Sequence, residues 1–452
     1  MDTKKQRFGP RRLRADRMIA LGFAGLILLG TLLLLLPFAS RSGGCCGLRK
    51  ALFTATSATC VTGLILADTW TQWSGFGQTV LLCLIEIGGM GFMAVGAMFV
   101  FMLRRKASMS QEVLMAATLG TDAVGDSVTQ QKKMLLRGIA IQLIGAAALT
   151  CRFWPVYGFA AALKLGVFHA VSAFCNAGFD IFGFETPNAS LAGWGNDPAV
   201  LFIVAALIVL GGLGFLVWDE VLTRPVKKWS VYTRLVLITT ALLLLLGTVG
   251  LTLTEWDNPA TLGTRTVPQK WLAGFFQSAT TRTAGFDAIG QGGLTDGGKM
   301  LSVLLMIIGG SSAGTAGGMK TVTFLVIILF LWSRLRGNRY ITLFHRTIPQ
   351  QAVFNALTVF GVMVTLCFAG GVFVCIDSAV PFTDALYEVV SALATVGLTT
   401  GITPQLALPS HLLLIAYMFF GRVGILTISM GFLQQSSVTS HYKYAETKLI
   451  IG

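Results

Sequence analysis

The chain has 452 residues, of which 54% are hydrophobic and only 12% are charged, so its composition is not that of a soluble globular protein. Apolar runs of about 20 residues recur along it; each is long enough to cross a lipid bilayer as a helix, and together they predict a polytopic membrane protein. The net charge of +14 fits basic segments at an inner membrane surface and does not indicate nucleic-acid binding, because no nucleic-acid motif accompanies it.

The N-terminal part of the chain contains three predicted elements. A basic segment, 1–17, precedes an apolar run at 18–37, which is too long for a secretory signal and lacks a cleavage site of small residues. A shorter apolar stretch at 48–59 cannot span a bilayer, and a second long run follows at 77–103. We therefore predict a spanning helix, a re-entrant segment that enters the membrane and turns back, and a second spanning helix.

The same arrangement recurs three more times, so the chain is four copies of one unit. A glycine followed by Leu or Phe ends each short stretch, and these glycines are Gly63, Gly178, Gly285 and Gly397. An aromatic residue lies ten positions before each of them, at Phe53, Phe168, Phe275 and Tyr387. A serine follows the aromatic residue, one position out of step in the third copy, at Ser57, Ser172, Ser278 and Ser391. A repeat of this kind determines the fold.

The later copies have the same three elements. They are predicted at 134–150, 163–175 and 198–222, at 231–253, 270–280 and 300–332, and at 353–376, 384–394 and 411–433. The corresponding boundaries are 18–103, 134–222, 223–333 and 334–433 for the four repeats, with a cytoplasmic loop at 104–133 and a tail at 434–452. Non-helical backbone at membrane depth must be enclosed by protein or a water-filled cavity. The prediction is an all-α protein of eight transmembrane helices and four re-entrant pore helices in a pseudo-fourfold arrangement.

Charged residues predict the orientation. The segments that join one repeat to the next are basic, so the positive-inside rule makes them and both termini cytoplasmic. Acidic residues cluster instead around the glycine motifs, at Asp68, Asp180, Glu185, Asp197, Glu255, Asp257, Asp287, Asp296, Asp377 and Asp384. The outer mouth is therefore expected to concentrate cations.

Each glycine loop has the chemistry of a cation filter. A small cation sheds its water only if a ring of oxygens replaces it, and backbone carbonyls supply that ring where glycine permits an unusual conformation. The short helix before each loop would aim its carbonyl end at a shared axis, which favours a cation. The predicted filter takes three residues from each repeat: Val61, Thr62 and Gly63; Asn176, Ala177 and Gly178; Thr283, Ala284 and Gly285; Thr395, Val396 and Gly397.

These motifs resemble those of one family. Residues 57–64 read Ser-Ala-Thr-Cys-Val-Thr-Gly-Leu, and the later copies carry Asn-Ala-Gly-Phe-Asp, Thr-Ala-Gly-Phe-Asp and Thr-Val-Gly-Leu. Together with the Gly/Ser run at 308–320 and with Gly-Arg-Val-Gly at 421–424, they resemble the superfamily of K⁺ transporters. The most similar members are the translocating subunits of Ktr-type bacterial potassium uptake systems, and the resemblance covers essentially the whole chain.

The resemblance implies a function and partners. It implies K⁺ uptake, with each repeat corresponding to one subunit of a tetrameric potassium channel; K⁺ is the transported ion, Na⁺ dependence is left open, and no organic cofactor is expected. It also implies a homodimer in the bacterial inner membrane, standing on a cytosolic ring of RCK-type nucleotide-binding regulatory subunits. This chain has no nucleotide-binding motif of its own, so such regulation would come from another polypeptide.

Alternative functions would leave different signatures in the sequence. None of the four filters reads Thr-Val-Gly-Tyr-Gly, as true potassium channels do, so a Na⁺-conducting or poorly selective transporter of the same superfamily is the alternative. In such relatives the resemblance puts Ser at the first filter position, where Gly63 stands here. A secondary carrier would show inverted repeats, and an intramembrane enzyme would show a nucleophile or metal cluster. The eight cysteines lack CxxC spacing and the four histidines are scattered, so no transition-metal site is predicted.

A Gly/Ser-rich run interrupts the second helix of repeat 3. Its residues are Gly310, Ser311, Ser312, Ala313, Gly314, Thr315, Ala316, Gly317 and Gly318. Such residues form helices poorly, so we predict a flexible loop between two helical pieces, with a kink at a helix contact as the alternative. The resemblance implies that this loop is a gate beneath the filter.

Ionisable residues inside apolar helices are costly and usually functional. Arg422 and Glu86 fall at similar depths and are predicted to pair, with Arg422 as part of the gate and Glu86 and Lys320 supporting it. For Lys320 and Arg282, a contact that braces a loop and a contact with the ion both stay open.

Overall fold

The computed structural model describes residues 10–91 and 127–424, except 313, 339, 344 and 345, and gives only the backbone for 10–16 and 127–131. Some predictions lie outside the described residues: those for residues 1–9, most of the loop 104–133, the helix ends at 92–103 and 425–433, the tail 434–452, and Ala313.

Each repeat begins with a long apolar helix. These first helices are Pro10–Leu35, Ser127–Tyr157, Val231–Thr254 and Gln350–Ser378. Within the described residues they are the only four helices that are individually long and apolar enough to cross a membrane. Large side chains on them remain 60–70% exposed, as lipid-facing positions require: Leu21, Ile144, Leu245 and Phe354.

A shorter helix follows each first helix and lies inside the protein. These pore helices are Leu48–Thr59, Phe159–Cys175, Val267–Thr280 and Phe382–Leu393. Several of the largest fully buried side chains belong to them, among them Phe53, Phe174, Phe276 and Tyr387. The pore helices are therefore the core, and the first helices shield them from lipid. The all-α architecture of four tandem repeats is confirmed.

The second helices begin close to the filter loops. They are Gly75–Met90, Pro198–Leu213, Asp296–Ile307 and Leu408–Val423. Side-chain caps begin the first three: Ser74 Oγ accepts from Gly77 N (3.3 Å), Asp197 Oδ1 from Val200 N (3.0 Å) and Thr295 Oγ1 from Gly298 N (3.0 Å). Such caps satisfy backbone N–H groups that a helix start otherwise leaves unpaired.

Within the described residues, two second helices are interrupted. The span predicted at 198–222 ends at Leu213, and Phe215–Thr223 continues at 97° to it. Gly214 has φ 85°, a conformation open to glycine that ends the first piece. In repeat 3 the helix stops at Ile307 and resumes as Thr321–Leu335. Smaller elements complete the fold: the helix Thr69–Gln72, the 3₁₀ turns Pro37–Ala39, Ala192–Trp194, Val226–Lys228, Gln291–Gly293 and Thr403–Gln405, and the strand pair Thr342–Leu343 and Arg346–Thr347.

Glycines let the second helices approach the pore helices. A methyl group at Gly88, Gly211 or Gly421 would clash with a carbonyl oxygen at the end of the pore helix in the same repeat, on Thr59, Phe174 and Leu393 respectively. In repeat 3 the aligned Gly309 lies instead against the carbonyl of Gly317. Three of the aligned glycines therefore serve close packing, and the fourth lies at the break.

Replacing these packing glycines should destabilise the protein. We expect Gly88→Ala, Gly211→Ala and Gly421→Ala each to cost about 1–3 kcal/mol, because the added methyl group forces backbone apart. The measurement is the thermal unfolding midpoint in detergent by size-exclusion chromatography. Gly25→Ala, in the first helix of repeat 1 with no atom within 4 Å of the added methyl, is the matched control. Equal midpoints for all four variants would contradict the packing role.

Candidate ion pathway

The loops after the four pore helices share one backbone conformation. Their glycines have φ values of 98°, 68°, 83° and 94°, at Gly63, Gly178, Gly285 and Gly397. The residue two positions earlier also has a positive φ, at Val61 (57°), Asn176 (60°), Thr283 (68°) and Thr395 (52°). This conformation is uncommon outside glycine and strained for β-branched residues. Its presence in all four copies means that the surrounding protein imposes it.

The four glycines lie around one axis. A methyl group built on Gly63 would be 3.3 Å from the Cα atoms of both Gly178 and Gly397. One built on Gly285 would be 3.1 Å from the Cα of Gly178 and 3.2 Å from that of Gly397. Each glycine therefore neighbours those of the two adjacent repeats, which places the repeats in the order 1-2-3-4 around the axis.

A carbonyl oxygen from the neighbouring repeat lies against each glycine. A methyl group would be 2.5 Å from the Ala177 oxygen at Gly63 and 2.8 Å from the Ala284 oxygen at Gly178. The oxygens of Val396 and Thr62 approach Gly285 and Gly397 in the same way. All twelve predicted filter residues are buried. The four carbonyl oxygens, one from each repeat, form a ring among them. Such a ring can replace the hydration shell of a cation.

Three of the predicted filter residues carry hydroxyl groups. The hydroxyl oxygens of Thr62, Thr283 and Thr395 are buried and have no hydrogen-bond partner among the described residues. Buried polar groups normally find a partner, so these three hydroxyl groups are exceptions. The Thr395 hydroxyl lies against Gly317 of the Gly/Ser run and not in the carbonyl ring. In the described part of the chain, no group of three or more His, Cys, Asp or Glu could hold a metal ion.

Hydroxyl side chains of the pore helices hold the filter loops in two different ways. In repeats 1 and 4, Ser57 Oγ and Ser391 Oγ accept from the N–H groups of Gly63 and Gly397, both at 3.0 Å. In repeat 2, Ser172 Oγ donates to the carbonyl of Phe179 (2.7 Å).

In repeat 3, the hydroxyl that holds the filter loop belongs to Thr280 and not to Ser278, the serine of the repeated motif. Ser278 donates to Leu244 O of the first helix (3.0 Å), whereas Thr280 Oγ1 donates to Phe286 O (2.7 Å), as Ser172 does to the equivalent Phe in repeat 2. The sequence did contain a signal for this difference. Ser278 lies one position out of step with the serines of the other repeats, which indicates that another hydroxyl could take the anchoring role. The filter thus consists of two adjacent pairs of repeats with different anchors.

Acidic residues near the filter accept hydrogen bonds from backbone N–H groups of the outer loops. Asp287 accepts hydrogen bonds from the N–H groups of Ile289, Gly290 and Gln291. Asp68, which is 4% exposed, accepts from Thr71 N and Asn188 N. These contacts occupy the carboxylate oxygens from inside the protein.

Asp180 is a special case among these acids. It follows the filter of repeat 2 and accepts from Phe182 N (3.1 Å). Burial, with a smaller contribution from Asp68, raises the pKa of Asp180 to about 7. Its negative charge near neutral pH is therefore partial, and it contributes less to attracting cations than a free carboxylate would.

Two further buried groups connect the filter loops to the pore helices. Glu388 accepts from Thr400 N (3.0 Å) and Thr403 Oγ1 (2.7 Å), and also from Thr399. Tyr387 donates to Gln291 of repeat 3 (2.8 Å), so one pore helix contacts the filter loop of the neighbouring repeat. The Tyr387 contact could not be predicted from the sequence, since it depends on how two repeats pack.

The described residues of the run 310–318 form a loop, and backbone hydrogen bonds join the two helix ends at its base. Gly309 N donates to Met319 O (2.9 Å), Met319 N to Ile307 O (3.1 Å) and Thr321 N to Gly310 O (3.0 Å). These bonds pair the two broken helix ends side by side. The loop therefore departs from the helix axis while the backbone groups at its two ends remain hydrogen-bonded.

The loop is bonded to repeat 2. Ser311 N donates to Gly212 O (2.9 Å) and Thr315 N to Gly211 O (3.1 Å), and Ser311 Oγ also donates to the carbonyl of Leu213. These are the carbonyls that the bend at Gly214 leaves without helical partners. Thr315 Oγ1 reaches Phe174 O at the end of the pore helix (3.1 Å). Protein partners therefore satisfy much of the loop that its composition predicted to be flexible.

Arg422 and Glu86 do not pair. The Arg422 guanidinium donates to the carbonyls of Thr315 in the loop and of Gly88 and Gly89 at the end of the second helix of repeat 1. Glu86 instead accepts from Gln142 Nε2 (2.9 Å) and Cys175 Sγ (3.3 Å) in repeat 2. Similar depth did not bring the two charges together, because unpaired carbonyls of the loop and helix end satisfy the arginine.

Lys320 and Arg282 brace the loop. Lys320 Nζ donates to Ala316 O (2.8 Å), across the base of the loop. Arg282, buried behind the filter of repeat 3, donates to Thr240 O (3.4 Å) and Gly309 O (3.5 Å). Of the two interpretations left open by the sequence, these contacts favour support of the loop.

The geometry agrees with a known family. The family model TrkH, described as a cation transport protein, matches residues 6–441. The chain belongs to the TrkH cation transport family. It is 39% identical over 98% of both chains to the potassium/sodium uptake protein NtpJ of Enterococcus hirae. It is 36% identical to the Ktr system potassium uptake protein B of Bacillus subtilis, covering 98% of this chain and 97% of that one.

A solved structure shows the same fold. The potassium transporter TrkH from Vibrio parahaemolyticus superposes with a TM-score of 0.71 at 18% identity, covering 94% of this chain and 86% of that chain. The resemblance to Ktr-type membrane subunits read from the motifs is confirmed. This protein is accordingly a membrane protein of a cation transporter family and not an enzyme.

The filter glycines should control which cation passes. Gly397→Ser would place a Cβ against the carbonyl of Thr62 at φ 94°, so we expect it to distort one quarter of the oxygen ring. The expected result is a lower apparent affinity for K⁺ or greater Na⁺ passage, measured as competing ion uptake into proteoliposomes. Gly401→Ser is the control, because φ is 95° there but nothing lies within 4 Å. Unchanged selectivity at all of Gly63, Gly178, Gly285 and Gly397 would contradict a shared filter.

Proposed function

We propose that this protein takes up K⁺ through the oxygen ring formed by Thr62, Ala177, Ala284 and Val396. The observation that carries the proposal is the fourfold repetition of one strained loop around one axis, with a carbonyl oxygen against each glycine. The carbonyl ends of the four pore helices precede these loops and add partial negative charge, which favours a cation. Relatives named as potassium uptake proteins support K⁺ as the ion.

Na⁺ is the second candidate, either as a co-transported ion or as the conducted one. The name of the Enterococcus relative, a potassium/sodium uptake protein, favours this possibility. The deciding experiment is growth and ion uptake of a cell that lacks its own K⁺ uptake systems, with and without Na⁺. Uptake of K⁺ supports the proposal, Na⁺ stimulation adds coupling, and equal uptake of both ions indicates the poorly selective alternative.

We also propose that the loop 310–318 and Arg422 form the gate of this pathway. The loop contacts the end of a pore helix through Thr315, and Arg422 binds the loop and the second helix of repeat 1 at once. A positive charge 4–6 Å from a permeating cation costs roughly 3–4 kcal/mol at an effective dielectric near 20. Opening then means breaking these hydrogen bonds and moving both the loop and the charge.

Placement and partners complete the proposal. The basic joining segments and both termini face the cytoplasm of a bacterial cell, and the filter loops face outward. The protein works as a homodimer with a cytosolic nucleotide-binding subunit of the RCK type. The relatives that belong to Ktr systems support a multi-component assembly.

Weakening the gate should raise flux. We expect Arg422→Ala, and deletion of residues 312–314, each to increase K⁺ uptake into proteoliposomes several-fold, since both loosen the same constriction. The double variant should be less than additive. Arg422→Lys, which keeps the charge but cannot bridge three carbonyls in the same way, should lie between wild type and Arg422→Ala.

Glu86→Gln is the control for this experiment. Glu86 contacts Gln142 and Cys175 and not the loop, and glutamine can accept the same hydrogen bonds, so flux should change little. A folded loop-deletion variant with unchanged or lower uptake would identify the segment as a packing element.

A partner should be recoverable from the membrane. We expect affinity purification of the detergent-solubilised protein from its native cells to yield a soluble nucleotide-binding subunit and a particle with two copies of this chain. The measurement is mass photometry with identification of the co-purified chain. A single-copy particle free of any partner across several mild detergents would contradict both assignments.

A further inference from the structure

A cationic cluster lies on the face from which the pore helices enter. Trp70, in the helix Thr69–Gln72, has the Arg41 guanidinium carbon 4.5 Å and the Lys164 ammonium nitrogen 4.7 Å from its ring centroid. Arg41 follows the first helix of repeat 1, and Lys164 lies in the second turn of the pore helix of repeat 2. Two cations from different repeats therefore share one half-buried ring.

No carboxylate neutralises this pair within the described residues. The four ion pairs there join Arg137, Arg152, Arg224 and Lys299 to acidic partners, and neither Arg41 nor Lys164 belongs to them. Asp68, two residues before Trp70, directs its oxygens to the N–H groups of Thr71 and Asn188. Both cationic side chains are exposed, so the cluster presents uncompensated positive charge.

An apolar groove begins at Lys164. It has a volume of about 320 Å³ and runs between the second helix of repeat 1 and the pore helix of repeat 2. Leu82, Leu163, Val167 and Phe168 line it, and Leu163 is 45% exposed. Because these elements are embedded in a bilayer, the groove opens to lipid tails, and the cluster lies where headgroups are found; tryptophan is typical of that level.

We propose that Arg41, Lys164 and Trp70 bind the headgroup of an anionic phospholipid, with one acyl chain in the adjoining groove. The two cations suit a headgroup that carries a net negative charge. Arginine can hold two oxygens of its phosphate at once. The groove supplies the reason for a lipid over a free phosphate ion, since only a lipid would cover its apolar wall. The site bridges repeats 1 and 2.

Occupancy of this site bears on the filter. The Trp70 ring contacts Phe184 (centroids 5.2 Å apart), and Phe184 contacts Phe182, which stacks on His169 of the pore helix (4.3 Å). Asp68 and Asn188 join the same two outer loops by a hydrogen bond. A lipid bound between the repeats therefore stabilises the outer loop that follows the filter of repeat 2.

Native mass spectrometry of the full-length protein in detergent tests the site, with phosphatidylglycerol and phosphatidylcholine as the two probes. The wild-type protein should retain one more bound molecule of phosphatidylglycerol than of phosphatidylcholine. Each of Arg41→Gln and Lys164→Gln should weaken the apparent affinity for phosphatidylglycerol about fivefold, as expected for one cation near an anionic headgroup. The double variant should also lose the rise in unfolding midpoint that phosphatidylglycerol gives the wild type.

Three controls separate lipid binding at this site from a general charge effect, from misfolding and from binding of free phosphate. Lys228→Gln removes one exposed charge from a joining segment and should leave this binding unchanged. Arg41→Lys combined with Lys164→Arg keeps the charges and should keep the lipid, which guards against misfolding as a cause. Inorganic phosphate at millimolar concentration should not displace the lipid. Equal retention of the two lipids, full displacement by phosphate, or an equal loss in Lys228→Gln would overturn the proposal.

Discussion

Backbone polar groups that leave a helix inside a membrane must find partners within the protein, and this requirement organises the structure. Four filter loops and the loop at 309–318 all depart from helical geometry in a setting where an unpaired N–H or C=O costs several kcal/mol. Hydrogen bonds within the repeat or to a neighbouring repeat satisfy many of these groups. Pore-helix hydroxyls take up filter N–H and C=O groups, and the bend at Gly214 exposes the carbonyls that Ser311 and Thr315 bind. The broken helices therefore satisfy each other.

The four filter loops share one backbone conformation, but two kinds of hydrogen bond support them, one in repeats 1 and 4 and the other in repeats 2 and 3. All four loops share the same pair of positive φ values, yet Ser57 and Ser391 accept hydrogen bonds where Ser172 and Thr280 donate them. A single chain allows this, because each repeat can change separately, whereas identical subunits must carry the same residue four times. The oxygen ring is thus held by unequal supports, so one side can be adjusted without altering the other.

Arg422 joins parts of three repeats. Its guanidinium is shared between the loop of repeat 3 and the helix end of repeat 1, while the residue itself belongs to repeat 4. The loop is in turn bonded to repeat 2 through Ser311 and Thr315. The loop is therefore connected by hydrogen bonds to repeats 2 and 4 and, through Arg422, to repeat 1. Arg282, which reaches from behind the filter to Gly309, provides a direct contact between the filter region and the loop base.

The sequence alone determined the features that depend on local chemistry. Apolar length predicted the first helices and pore helices, the repeated glycines predicted where the loops turn, and the Gly/Ser run predicted an interruption in repeat 3, because propensity and φ are properties of each segment. Tertiary structure decided which groups meet. It bonded Arg422 to carbonyls and Glu86 to Gln142, gave the anchoring role in repeat 3 to Thr280 and not Ser278, and bent repeat 2 at Gly214. These outcomes depend on which unpaired groups the neighbouring repeats present, and that information is distributed over segments far apart in the chain.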